Sequence, residues 1–403
     1  MNILFLTTGR MDNIEQRSLY PDLLRCFRDK GHNIYTVSSY EKREERETEL
    51  INENGAHMLH VKIGNLTQTN KIEKGLSTLR IEKQYLNAIK KHFSNIKFDL
   101  VMYSTPPITL VKVIEYLKKR DYCQTYLLLK DIFPQNAVDL GMLRKTGIKG
   151  LLYRFFRNKE QSLYKISDYI GCMSQANVDY IVENNPKLNP DTIEICPNCI
   201  DVIDMSVNDD TRKKIREKYN LPQDKKIFIY GGNLGKPQGI EFMINCLRSQ
   251  AYNEEYFFLI VGAGTEFDKI QVYIDKEMPL NVKLLKRIPK EDYDAMVGAC
   301  DVGLIFLDHR FTIPNFPSRL LAYMQAKLPV LAITDPHSDV GKVVVDGGFG
   351  WWCESNDVDG FSKLISEIDF EKIEMQKDVE YSYLVNNYSV ERAYSIIMNH
   401  FNK

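Results

Sequence analysis

The sequence predicts an α/β chain of two domains, each a parallel β-sheet covered on both faces by helices. Three observations carry that prediction. Short, nearly continuous apolar runs alternate with longer amphipathic stretches, the alternation restarts after residue 200, and several runs of the second half open into glycine-bearing turns. Apolar runs without a polar face belong to strands buried on both sides, as in a parallel sheet.

In chain order, the first strands are expected at Ile3–Thr7, Ile34–Ser38, Leu59–Ile63, Leu100–Tyr103, Thr125–Leu129 and Tyr169–Met173. Helices are expected at Arg17–Lys30, stopped by Gly31, and at Ile72–Phe93, because glycine closes helices readily. The mixed-charge run Glu41–Glu49 reads as a solvated helix face. Asn184–Asp201 carries three prolines and the turn Cys196-Pro197-Asn198-Cys199, which suits a hinge. The first domain is therefore placed at 1–200 and the second at 201–385. Strands of the second are expected at Ile227–Tyr230, Phe257–Val261, Val282–Leu285, Val302–Phe306 and Val330–Ile333. The Tyr-rich stretch Glu371–Phe401 reads as helical, with 386–403 packing back on the first domain. Two Rossmann-like domains of this kind bind ligands outside the C-terminal ends of their strands, in a cleft where the domains face each other.

Composition narrows the function classes. The 403 residues hold 53 Lys+Arg against 54 Asp+Glu, a net charge of −1. Such balance argues against a dedicated nucleic-acid binder and against global disorder. The longest apolar runs are far shorter than the ~20 residues that span a bilayer. The N-terminus reads as a first strand and not as a signal peptide. Eight scattered cysteines fit buried thiols in a cytosolic protein.

Candidate chemistry gathers at strand ends. Tyr230-Gly-Gly-Asn-Leu-Gly-Lys-Pro-Gln-Gly239 follows a strand and opens a helix. Its glycines would let the backbone approach a ligand, and Lys236 beside a helix start would attract phosphate. Ile313-Pro-Asn-Phe-Pro-Ser-Arg-Leu-Leu-Ala-Tyr-Met324 offers a second helix start. Ser318 or Asn315 would cap it, and the surface-facing Arg319 would hold a second phosphate. Val261-Gly-Ala-Gly-Thr-Glu266 is a third turn of this type. In the first half, Lys130 and Asp131 stand at a strand end, either as an ion pair or orienting substrate, and Ser104-Thr-Pro-Pro107 lies on the same side. Asp292-Tyr-Asp294 and Asp357-Val-Asp359 read as acids at helix starts. The Cys196/Cys199 pair lacks the partners of a zinc site. From Arg144 to Lys165 the chain has seven basic residues (Arg144, Lys145, Lys149, Arg154, Arg157, Lys159, Lys165) and Glu160 as the single acid. Leu151, Leu152, Tyr153, Phe155 and Phe156 are interleaved with them. Such a helix either lies on an anionic membrane or covers the core with a basic solvent face.

Taken together, the Gly-Gly-Asn-Leu-Gly-Lys-Pro-Gln-Gly segment, the Gly262-Ala-Gly-Thr-Glu266 turn and the stretch from Phe316 to Val330 resemble family 4 glycosyltransferases of the GT-B fold. Lys130-Asp-Ile-Phe-Pro-Gln135, Val138-Asp-Leu-Gly141, Met173-Ser174 and Pro197-Asn198 occur in the family's order. The resemblance covers nearly the whole chain and is strongest to bacterial enzymes of capsule and O-antigen synthesis, such as N-acetyl-L-fucosamine transferases. It implies a retaining, metal-independent transferase without a cofactor. The donor would be a nucleotide-diphosphate sugar, expected to be UDP-linked and to carry an N-acetylated hexosamine or 6-deoxyhexosamine. The acceptor would be a lipid-linked saccharide at the inner membrane face, reached by a cytoplasmic protein through segment 144–165.

The resemblance assigns catalytic roles to Lys130, Asp131, Lys236 and Arg319. It assigns donor binding to Gly232, Asn233, Leu234, Gly235, Gln238, Gly262, Gly264, Glu266, Arg287, Arg310, Asn315, Phe316, Pro317, Ser318 and Leu320. Gly9, Arg10, Ser104 and Thr105 fall on the acceptor side. The chain departs from the family where two glutamates are common, at Pro314 and Ala322, and where Arg and Lys are common, at Asn233 and Gln238. Arg319 stands where Lys is frequent, and Lys130-Asp131 stands where His is frequent. Two other readings share the fold: a UDP-sugar 2-epimerase, and a nucleotide-sugar-binding module without turnover.

Overall fold

The computed structural model describes residues 1–67, 69–375 and 378–401, with backbone alone at 71, 72, 374 and 375. The chain divides into two compact units, Met1–Asp201 with Val390–Lys403, and Val202–Ser389.

The first unit holds β1 (Asn2–Leu6), β2 (Asn33–Glu41), β3 (Glu49–Glu53), β4 (Ala56–Ile63), β5 (Leu100–Ser104), β6 (Gln124–Leu129), β7 (Tyr169–Cys172) and β8 (Ile193–Ile195). They form one sheet in the order β3-β4-β2-β1-β5-β6-β7-β8. Only β3 runs antiparallel to its neighbour. β1, β5 and β6 are almost wholly buried, as continuous apolar runs demand.

The run Glu41–Glu49 is not a helix face. It ends β2, makes a short turn at Lys42–Glu44 and leads through Glu45, with φ 55°, to β3. Its charges interlock locally: Arg46 stacks 3.9 Å over the Tyr40 ring and pairs with Glu49 at 2.6 Å. The edge strand β3 escaped a reading based on apolar runs because it is the polar sequence Glu-Leu-Ile-Asn-Glu. β8 is a three-residue strand inside the proline-bearing stretch read as hinge.

The second unit holds β9 (Lys226–Asn233), β10 (Tyr256–Ala263), β11 (Val282–Leu285), β12 (Val302–Phe306), β13 (Val330–Thr334) and β14 (Gly350–Glu354). All are parallel, in the order β11-β10-β9-β12-β13-β14. Phe228, Tyr230, Phe258, Ile260, Leu304 and Phe306 belong to its buried core. Each fully buried apolar side chain of this size contributes about 1.5–3 kcal/mol. Connections leave β9 on one side for β10 and return on the other to β12. The strand order therefore reverses between β9 and β12, where ligands bind open α/β sheets.

Among the described residues the C-terminal stretch holds three helices, Phe370–Met375, Val379–Tyr388 and Val390–Met398. Asp378 has φ 85°, and Ser389 is extended between the last two. The helix Val379–Tyr388 stays in the second unit and contacts the helix Arg319–Gln325. The return to the first unit starts at Val390, whose N–H donates to the Ile200 carbonyl at 3.2 Å. There Tyr394 packs edge-on against Phe27 and meets His32 Nε2 at 3.0 Å. His400 Nε2 lies 2.8 Å from the Glu194 carboxylate, which also accepts the Tyr126 hydroxyl at 2.7 Å. The last two residues of the expected segment 386–403 lie outside the described residues.

Candidate functional site

The reversal point of the second sheet is built from three turns that hold one another. Leu234, just past β9, donates its N–H to the Ala263 carbonyl and accepts the N–H of Glu266, both at 2.9 Å. Asp308, after β12, donates its N–H to the Pro237 carbonyl at 2.9 Å. Gln238 is buried, and its Oε1 accepts from Asn233 Nδ2 at 3.0 Å and from the Gly235 N–H at 3.1 Å. The loop after β9 is thereby fixed from inside by Gln238 and from both sides by its neighbours.

Several expected donor contacts are spent on this assembly. A Cβ on Gly262 would lie 2.0 Å from the Gly232 oxygen, and one on Gly264 would lie 2.2 Å from the Leu234 oxygen. These glycines are needed for the backbone-to-backbone packing of two turns. Leu234 is fully buried. Glu266 is held by Lys269 at 2.5 Å. Arg310 is held by Asp308 through two hydrogen bonds of 2.8 and 2.7 Å, which neutralise its charge. Gly232, Asn233 and Lys236 remain exposed on the loop, as does Arg287 after β11.

Arg319 opens the helix Arg319–Gln325, and it is not surface-facing. Its guanidinium carbon lies 4.2 Å from the Tyr230 ring centre. The group lies beside Gly232, where a Cβ would meet Nη2 at 3.5 Å. Nη1 is buried and has no hydrogen-bond partner, and no carboxylate pairs with Arg319 among the described residues. Two more tyrosines close the surroundings. The Tyr323 hydroxyl accepts the Gly231 N–H at 3.2 Å and lies 3.1 Å from the Ile229 and Leu304 carbonyl oxygens, tying β9 to β12. The Tyr293 hydroxyl touches Gly231, whose missing Cβ makes room for it, and burial pushes that phenol up to about 12.

The expected capping of this helix does not occur. Ser318 makes no cap hydrogen bond. Asn315 donates its N–H to Ser338 Oγ at 2.9 Å, and Ser338 Oγ donates in turn to the buried Asp335 at 2.9 Å. Asp335 follows β13, so a search for acids after strands would have found this support. Leu320 is core, and its N–H is taken by the Pro317 carbonyl at 3.3 Å. Phe316 is buried against Tyr388, while Pro317 is half-buried and Ser318 exposed. Ala322, half-buried, brings no carboxylate to the helix.

In the first unit, Lys130 and Asp131 do not pair. Adjacent residues leaving a strand point to opposite sides. Lys130 Nζ reaches the Cys196 carbonyl at 3.4 Å, and burial pushes its pKa down. The Asp131 carboxylate accepts from Asn136 Nδ2 at 2.7 Å, and burial lifts it to about 6. Ser104 and Thr105 are buried. Thr105 Oγ1 accepts the N–H groups of Lys130 at 3.0 Å and Asp131 at 3.2 Å, so it shapes the turn that carries both. The Gly9 N–H is bound by Thr7 Oγ1 at 3.0 Å. Arg10 is paired with Asp12 at 2.6 Å and Glu44 at 3.1 Å.

The basic stretch forms the helix Gly147–Ile166. Ile148 is 89% exposed and Leu151 64%, with Met142, Leu152 and Phe155 also exposed. Arg144, Lys145, Lys149, Arg154 and Lys165 share that exposure. Arg157 turns inward to the buried Glu160 and to Asn185, and Lys159 lies 3.9 Å from Glu82, so two of the seven charges are spent within the unit. No helix among the described residues is long and apolar enough to cross a membrane. Among those residues no three His, Cys, Asp or Glu side chains converge as metal ligands would. The two Asp-x-Asp sequences are used locally: Asp292 pairs with Lys218 at 2.7 Å, Asp294 with Lys290 at 2.9 Å, and Asp357 caps a helix through the Gly360 N–H.

Comparison with known proteins agrees with this architecture. Residues 211–382 match the family described as "Glycosyl transferases group 1". The chain is 25% identical over 325 residues to WbjE of Pseudomonas aeruginosa, described as a probable glycosyltransferase, covering 79% of this chain and 77% of that one. It is 23% identical over 208 residues to WcaI of Escherichia coli K12, ascribed to colanic acid biosynthesis, covering 51% and 49%. Among solved structures, sucrose-phosphate synthase of Thermosynechococcus elongatus superposes with a TM-score of 0.75 at 14% identity, covering 99% and 98%. HepE of Anabaena in complex with UDP-glucose gives 0.69 at 14%, covering 100% and 99%. At such identities the structural likeness speaks for the fold alone. With its group 1 domain at residues 211–382 and its two parallel-sheet units of the GT-B type, the chain is a glycosyltransferase.

Proposed function

We propose that the protein transfers an N-acetylated hexosamine or 6-deoxyhexosamine, with retention, from a UDP-sugar to a lipid-linked saccharide in the synthesis of a capsule, O-antigen or exopolysaccharide. The observation that carries this reading is Arg319: a guanidinium without a carboxylate partner, at the sheet's reversal point, with one nitrogen buried and unbonded. An anion restores the balance that such a buried cation lacks. The donor's diphosphate is that anion, and Arg319, together with the exposed Lys236 of the loop after β9, stabilises it as it leaves. No metal is needed in this reading. The relatives' descriptions support polysaccharide synthesis, and the UDP-glucose held by HepE supports a uridine donor.

The first unit takes the acceptor, with Lys130 and Asp131 orienting it. The exposed apolar and basic side chains between Met142 and Lys165 lay the unit on the anionic inner face of the cell membrane, each nearby basic residue adding about 1 kcal/mol. The test is direct. Purified protein is given UDP-N-acetylhexosamines, their 6-deoxy forms and a lipid-pyrophosphate saccharide. Acceptor-dependent release of UDP is expected. No release across the panel overturns the reading, and acceptor-independent conversion of UDP-N-acetylglucosamine, seen by NMR, replaces it with a 2-epimerase.

A further inference from the structure

We infer that Tyr230 is a positioning residue for the donor's diphosphate, acting through Arg319; the inference rests on the reading of Arg319 given above. Tyr230 sits on β9 with its ring in the core and no exposed surface. One face of that ring meets the Arg319 guanidinium at 4.2 Å. A desolvated cation is held by the negative face of an aromatic ring without using any of its N–H donors. A carboxylate would hold the same cation more strongly and would take those donors away from a phosphate. This is the contrast with Arg310, whose donors Asp308 consumes. The ring itself is locked: the Tyr230 hydroxyl donates to the Asn233 carbonyl at 2.7 Å. One side chain thus sets both the cation and the backbone of the loop that faces it. Gly232 lies between them with φ 128°, bare of the Cβ that a left-handed residue carries at a cost. Tyr230 leaves Nη1 free for an oxyanion and fixes where it points.

The test uses the full chain and two probes, UDP and inorganic pyrophosphate, the second to separate diphosphate recognition from base recognition. Binding is measured by calorimetry for wild type, Arg319→Ala, Tyr230→Phe and Tyr230→Leu, with thermal unfolding alongside. Tyr230→Leu is expected to weaken both probes about tenfold, the loss of one desolvated cation–ring contact. Tyr230→Phe keeps the ring and is expected to keep pyrophosphate affinity within about twofold. If Tyr230→Leu does not fold, phenylalanines of increasing ring fluorination at 230 keep the volume and drain the ring's negative face; pyrophosphate affinity should then fall stepwise. Unchanged pyrophosphate affinity in Arg319→Ala overturns the reading of Arg319 itself. Loss of affinity in Arg319→Ala, with Tyr230→Leu or the fluorinated series at wild-type affinity, leaves that reading intact and overturns the role of Tyr230.

Discussion

The guanidinium of Arg319 is stacked on Tyr230 at 4.2 Å and has no carboxylate partner among the described residues. A buried cation of this kind lowers stability while it waits for its ligand. Arg319→Met should therefore cut turnover about a hundredfold, the scale for losing one preorganised donor to developing charge, while the melting temperature stays level or rises. Sugar transfer and thermal unfolding measured on the same preparation check this. Equal loss of both would make Arg319 a structural residue.

The helix Gly147–Ile166 exposes Ile148 and Leu151 more fully than burial in a core would permit. Leu151→Asp with Phe155→Asp should abolish co-sedimentation with vesicles containing anionic lipid, because acid is placed where chain and headgroup would meet. The fold should not notice, since neither side chain is buried. Activity on a water-soluble acceptor analogue should persist while activity on a lipid-linked acceptor falls. Vesicle binding equal to wild type would return the helix to the role of a basic solvent face.

How much of this was legible in the sequence follows from what each residue does. Strands such as β1, β6 and β12 announce themselves because burial on both faces leaves no polar interruption. β3 and β8 do not, because an edge strand and a three-residue strand are shaped by their neighbours. The glycine-bearing turns stand out in the sequence, but that Gly262 and Gly264 each press against the backbone of the loop after β9 is a tertiary fact that one-dimensional spacing cannot carry. Arg319 stands out in the sequence by its place at a helix start. Its enclosure depends on Tyr230 and Tyr293, both distant from it in the chain, and the motif that Tyr230 opens does not tell that its ring faces Arg319. Lys130 and Asp131 looked like a pair because they are adjacent, and adjacency on an extended chain separates side chains.

Asp131 gives a pH signature. Burial lifts its carboxyl from 3.8 to about 6. If its charge is needed to orient the acceptor, kcat/KM should fall as pH drops through about 6, and Asp131→Asn should lower the plateau and flatten that limb. Stability moves the other way. The folded state holds this proton to a higher pH than the unfolded chain, so stability present below pH 3.8 is lost as pH rises towards 6. A pH–rate profile set against urea unfolding at matching pH separates the two effects. An unchanged acid limb in Asp131→Asn would remove the residue from catalysis.

A second buried acid makes an independent case, away from the candidate site chemistry. Glu380 is 5% exposed, its Oε2 has no hydrogen-bond partner, and burial raises it from 4.5 to about 7. It lies on the helix Val379–Tyr388, which contacts the helix Arg319–Gln325. Asp378, a neighbour of like charge, adds to the rise. The folded protein keeps the Glu380 proton where the unfolded chain releases it, so the folded state binds more protons between pH 4.5 and 7 and loses stability across that window as pH rises. Glu380→Gln mimics the protonated form at every pH. It should leave stability at pH 4.5 nearly unchanged and raise it at pH 8 by roughly 3 kcal/mol, flattening the slope between. Chemical denaturation of both proteins at pH 4.5, 6 and 8 reads this directly; parallel curves for the two would mean that Glu380 titrates as an ordinary solvated acid.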